Sequence, residues 1–71
     1  MSDFLHDELA QLEACVRRRT NGRIRDLRLL VQNDGVVLQG QTQTYYAKQI
    51  AQQAVLEATR RPIQANEIEV I

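Results

Sequence analysis

The stretch Asp34-Gly35-Val36-Val37-Leu38-Gln39-Gly40 decides the fold. A glycine turn opens a short apolar strand, and a second glycine sits inside that strand on the face shared by Val36 and Leu38. Glycine weakens a strand interior, so its presence marks a close approach by another backbone. The neighbour expected is the alanine-rich helix that follows. Upstream, Asn33-Asp34-Gly35 is a hairpin-turn signal. Before it, from about residue 23 to residue 32, Leu27, Leu29 and Val31 alternate with Asp26, Arg28, Leu30 and Gln32, a strand with one well-buried face. The return strand covers about residues 36–42, with Val36, Leu38, Gly40 and Thr42 on one side and Val37, Gln39 and Gln41 on the other.

Helices flank this hairpin. Leu5, Leu9, Leu12 and Val16 form a one-faced stripe, which predicts a helix over about residues 3–20, capped by Ser2 or Asp3 and ended by Asn21-Gly22. Thr44 caps a second helix over about 45–60, whose stripe is Ala47, Ile50, Ala51, Ala54 and Ala58 with Val55 at its edge. Four alanines let that helix lie close to the sheet, with Gly40 as the matching gap. Arg60-Arg61-Pro62 stops it, because the residue before proline is pushed out of the helical region. A last strand over about 63–71 points Ile68 and Val70 one way and Glu67, Glu69 and Ile71 the other.

The expectation is one α+β domain over residues 1–71, with order αββαβ and two helices on one face of a three-stranded mixed sheet. The mixed sheet follows if the third strand lies beside the second. Beside the first it would be all-antiparallel, and the residue pattern does not choose.

Seventy-one residues with a formal charge of zero argue against a general polyanion binder. The charge is uneven, however. Residues 1–16 hold only acids (Asp3, Asp7, Glu8, Glu13), whereas residues 17–28 hold six arginines against Asp26. The single cysteine, the acids where a signal peptide needs a basic start, and the absence of ~20 consecutive apolar residues together predict a cytoplasmic chain.

The chain resembles the BON domain, a family named for bacterial osmotic-stress periplasmic and nodulation proteins. The resemblance rests on Gly35-Val36-Val37-Leu38-Gln39-Gly40, similar to a Gly-x-Val-x-Leu-x-Gly pattern, and on the helix from Thr44 to Ala58 with small residues at Ala51 and Ala54. The end, Ala65-Asn66-Glu67-Ile68-Glu69-Val70, looks like the family's closing Val-x-Asn-x-Ile-x-Val strand shortened by one position. Pro62-Ile63 departs from the usual Gly-Val before that strand. The resemblance implies phospholipid or envelope binding, and no catalytic residues.

The residues themselves offer little catalytic chemistry. His6 and Cys15 supply at most two of the four ligands zinc usually takes, so no metal is expected. Nine positions apart on one helix, they lie about 13 Å from each other along the axis, too far for a nucleophile and its base. Cys15 reads as a partly buried small hydrophobe and His6 as an exposed side chain. No phosphate loop surrounds Gly35 and Gly40, so no cofactor or small-molecule substrate is expected. Nucleic acid is not expected either, for want of paired aromatics on the sheet or a Gly-x-x-Gly clamp. Of Tyr45 and Tyr46, one is expected to pack at the start of the second helix.

Two surfaces remain. Ile24, Leu30, Val37 and Ile71 project from the outer sheet face among Arg28, Gln39, Gln41, Glu67 and Glu69, an apolar patch with a polar rim and the expected interface of a homo-oligomer. Arg17, Arg18, Arg19 and Arg23 form a basic corner that could meet an anionic membrane surface. The alternative role for the helix-end arginines, Arg60 and Arg61 included, is to stabilise the helix dipoles. The expected function is therefore a non-enzymatic interaction module, with weak binding of anionic phospholipid as the second reading.

Overall fold

The computed structural model describes the backbone of residues 3–71 and side chains from residue 7 onward. The elements are α1 (Asp3–Arg19), β1 (Arg25–Gln32), β2 (Gly35–Thr42), α2 (Tyr45–Ala58) and β3 (Ile63–Val70). The sheet is mixed, in the order β1-β2-β3. β2 is antiparallel to β1 and parallel to β3, so the third strand lies beside the second. The central position suits β2, whose Val36, Val37 and Leu38 are all buried.

The hairpin turn is made by Asn33 and Asp34, both left-handed at φ 52° and 65°, between the paired residues Gln32 and Gly35. Two successive positive φ values define the turn that matches the twist of the flanking strands. Gly35 is thus the first residue of β2 rather than part of the turn. Its lack of a side chain serves packing, since a Cβ there would lie 3.0 Å from the Cβ of Gln64 and 3.2 Å from the Pro62 carbonyl oxygen.

Both helices cover one face of the sheet. Leu12 and Val16 of α1, Ala47, Ala51, Ala54 and Val55 of α2, and Leu27, Leu29, Val36, Leu38 and Ile68 of the sheet form one core. Val55 is fully buried instead of lying at the stripe's edge, and Ala58 is exposed. Leu9 and Cys15 pack partly buried against this core. Leu5, His6 and the cap of α1 at Ser2 or Asp3 lie outside the described side chains. At its other end α1 closes with the Gly22 N–H donating to the Arg17 carbonyl at 2.9 Å and the Asn21 N–H to Arg18 at 3.3 Å. Asn21 is left-handed at φ 56°, as this terminator requires. The Thr44 side chain accepts from the Ala47 N–H at 3.1 Å and caps α2. That helix stops at Ala58, two residues before the expected end, because Thr59 is already extended.

Two irregularities position the outer face. Arg25 pairs with Gln41 and Arg28 with Gln39, so Asp26 and Leu27 together oppose Gly40. This is a β-bulge, with Asp26 left-handed at φ 54°. The tight neighbour of Gly40 is therefore the bulge of β1 and not α2: a Cβ on Gly40 would sit 2.7 Å from Ile24 Cγ2 and 3.0 Å from the Arg25 carbonyl oxygen. In β3, Val36 pairs with Ile63 and Val37 with Ala65, leaving Gln64 as a second extra residue. Beyond it Asn66 fastens β3 to α2, donating to the Lys48 carbonyl and to Gln52 Oε1, both at 3.2 Å, and accepting from the Ile68 N–H. Among the described residues no helix is long and apolar enough to cross a membrane.

Candidate functional site

The face of the sheet away from the helices is built in rows across the three strands. Because side chains alternate along a strand, residues paired across the ladder share a face. The rows are Leu30–Val37–Ala65, Arg28–Gln39–Glu67 and Arg25–Gln41–Glu69. Gln39 Nε2 donates to Glu67 Oε1 at 3.1 Å, and Gln41 Nε2 to Glu69 Oε1 at 3.5 Å. Arginine thus occupies the β1 edge, neutral glutamine the centre and glutamate the β3 edge. Asp26 breaks the charge pattern: on the outer face, where simple alternation also places it, it adds an acid to the β1 edge and lines an open trough of about 410 Å³ with Gln39, Gly40, Gln41, Glu67 and Glu69.

The four residues expected to form the interface do not form one patch. Ile24 is 7% exposed and belongs to the core under the helices. The extra residue at Asp26 reverses the alternation for everything before it, so Ile24 points inward although simple parity puts it outside. Val37 does lie on the outer face, but at 2% exposure its neighbours close over it. Leu30 beside it is partly buried. Ile71, 66% exposed, follows the end of β3 and donates its N–H to the Thr42 carbonyl at 2.9 Å. It lies six residues along the sheet from the Val37 row, about 20 Å away at 3.3 Å per residue. There it lines a separate recess of about 300 Å³ with Arg23, Arg25, Thr42, Gln43 and Thr44.

The basic corner is partly neutralised. Arg17 pairs with Glu13 one turn earlier at 3.3 Å, and Arg19 with Glu57 of α2 at 2.8 Å. Gln53, and after it Arg19, holds the Glu57 carboxyl below its ordinary pKa. Arg18 and Arg23 are exposed and have no carboxylate partner among the described residues. Arg23 also borders a groove of about 180 Å³ with Arg19, Thr20 and Tyr46. Both tyrosines are exposed, Tyr45 at 62% and Tyr46 at 69%, contrary to the expected packing of one of them. They precede Ala47, where the buried stripe of α2 begins, and Tyr45 lies roughly 200° and Tyr46 roughly 100° off it around the helix.

Arg61 has a different role from that expected at a helix end. It lies beyond the last turn of α2 and forms an ion pair with Glu8 of α1, Nε to Oε2 at 3.3 Å. Thr59 Oγ1 donates to the same carboxylate at 3.0 Å. These contacts, that of Arg61 foremost, hold Glu8 below its ordinary pKa. No group of three or more His, Cys, Asp or Glu side chains among the described residues is placed to hold a metal ion.

Arg28, the glutamines and the glutamates of the outer face are legible from strand alternation, but their rows depend on register. Arg25 escapes that reading because the left-handed Asp26 after it, which shifts the register, carries no periodic signal. No family model, curated protein or solved structure matches this chain.

Proposed function

We propose that the chain is a non-enzymatic interaction module of BON type that associates with further copies of itself through the outer face of its sheet. The observation that carries this reading is the row Leu30–Val37–Ala65, set in a ladder of Arg, Gln and Glu on a face that neither helix covers. The αββαβ order supports the resemblance to BON domains. The non-enzymatic reading is supported by the shifted carboxylates: Glu8 is held ionised by Arg61 and then Thr59, and Glu57 by Gln53 and then Arg19, the reverse of what a general acid needs. We place the module in a reducing compartment, in keeping with its free Cys15. Sedimentation at increasing protein concentration is the test. The wild type should associate at micromolar to millimolar concentration, and Leu30→Lys should remain monomeric; a wild type that is monomeric throughout refutes the reading.

A second reading, weak contact with anionic phospholipid at the basic corner, is favoured by exposed Tyr46 beside Arg23. With Arg17 and Arg19 already paired, two free arginines contribute about 2 kcal/mol at a charged surface. That binds only at low salt and fades near 0.15 M, where the screening length is about 8 Å. Cosedimentation with phosphatidylglycerol vesicles across salt, comparing wild type with Arg18→Gln/Arg23→Gln, decides it.

A further inference from the structure

The layout of charge on the outer face is directional. Arg25 and Arg28 stand on β1, Gln39 and Gln41 on β2, and Glu67 and Glu69 on β3, so the face changes sign from one edge to the other. A second copy can lie on it face to face in two simple ways. A two-fold axis across the strands sets β1 on β1 and β3 on β3, arginine against arginine and glutamate against glutamate. A two-fold axis along β2 sets β1 of one copy over β3 of the other while keeping each row on itself. Arg28 then meets the second copy's Glu67, Arg25 meets its Glu69, and Leu30 meets its Ala65. Gln39 lies on the axis and meets its own counterpart, the self-complementary pattern of a two-fold interface, while Val37 on the same axis stays beneath its neighbours.

We infer that the module forms a face-to-face dimer about a two-fold axis running along β2, with its register selected by the Arg–Glu rows. This rests on the reading of the outer face as the association surface and names the partner and its orientation. Aligned sheets pack about 10 Å apart, a gap that arginine and glutamate bridge from opposite sides. Strands of eight residues at about 3.3 Å rise and two spacings of about 4.8 Å give a face of roughly 300–400 Å² with side chains overhanging, well short of the ~800 Å² per partner of a standard interface. The dimer is accordingly weak, and the charged rows decide orientation more than strength. Asp26 works against it, because it faces the same trough as Glu67 and Glu69 and meets the other copy's acidic edge.

The decisive experiment mixes two variants. Arg28→Glu alone sets glutamate on glutamate, and Glu67→Arg alone sets arginine on arginine, so each should weaken self-association about tenfold or more. Mixed one to one, they restore an opposite pair at both ends of the interface, and a heterodimer of wild-type strength should form. Sedimentation with one variant fluorescently labelled reads this directly, with circular dichroism to check each fold. Arg25→Glu with Glu69→Arg repeats the test should either first variant fold poorly. Asp26→Asn, which keeps a residue tolerant of the left-handed conformation, should strengthen association of the otherwise unchanged chain. A wild type that associates and is disrupted by Leu30→Lys, but whose swapped pair stays monomeric, overturns the axis while the association surface stands. A wild type monomeric at millimolar concentration overturns both.

Discussion

Gly40 touches Ile24 across the bulge of β1: a Cβ placed on Gly40 would lie 2.7 Å from Ile24 Cγ2, and Gly40 itself has φ 153°. Clash and backbone strain therefore act together at one position. Overpacking and an unfavourable φ each cost on the order of 1–3 kcal/mol, so Gly40→Val should lose about 2–5 kcal/mol in urea melts. Amide exchange should locate the damage. Protection should fall first at Leu27–Leu29 rather than in α2; equal stability with wild type would show that the bulge yields easily.

The hairpin turn offers a gain. Asn-Gly is the preferred pair for a turn with two left-handed residues, and here Asp34 occupies the second position. Asp34→Gly should stabilise the domain by roughly 0.5 kcal/mol, since glycine meets no steric penalty at φ 65°. Gly35→Ala should destabilise it despite having no left-handed conformation to lose, because its Cβ meets Gln64 at 3.0 Å. Thermal melts of the two variants moving in the same direction would contradict this.

Asn66 uses both ends of its amide, donating to Lys48 and Gln52 of α2 and accepting from Ile68 within β3. Asn66→Asp keeps the acceptor and turns a carboxylate toward the Lys48 carbonyl. Removing one partner of a partly buried hydrogen bond costs about 1–3 kcal/mol. Asn66→Asp should therefore be less stable than wild type at pH 7 and should recover as the carboxyl is protonated below about pH 4. A deficit relative to wild type that is the same at both pH values would argue against the bond to Lys48.

Acid should weaken the wild type through Glu8. Its folded pKa lies below the ordinary 4.5 because Arg61, then Thr59, hydrogen-bond the ionised form, an effect larger than the opposing effect of burial. A depressed carboxyl contributes stability that is present above the unfolded pKa and lost as pH falls through the folded one. Glu57 acts with the same sign through Gln53 and Arg19. The melting temperature should fall as pH drops below about 4.5, and Glu8→Gln should flatten part of that fall. A Glu8→Gln profile parallel to that of wild type would show that the pair with Arg61 is not maintained in solution.

The element order was legible because each element carries its own period: Leu12 and Val16 at helical spacing, Leu27 and Leu29 at strand spacing, Asn33-Asp34 between two strands. The mixed pairing was not, since β3 could satisfy its apolar side against either neighbour. Ile24 shows why the surface was harder to read than the core. One left-handed residue, Asp26, inverts the facing of everything before it, and a single sequence offers no sign of that inversion. Thr59 similarly ended α2 before the proline could, which freed Arg61 to bind Glu8.

The extra residues at Asp26 and Gln64 also have a consequence for the rims of the sheet. An exposed edge strand is a template on which another chain can add, and unbroken edges invite fibres. On the β1 rim Asp26 interrupts the regular ladder, with arginines on either side of it. On the β3 rim Gln64 does the same near the start of the strand, and Glu67 and Glu69 add charge further along. A fourth strand joining either rim would find its hydrogen bonds out of step partway along. Open-ended addition of strands is thereby disfavoured at both rims, and stacking through the proposed association face would stop after one partner, because each copy has a single broad side that the helices leave uncovered.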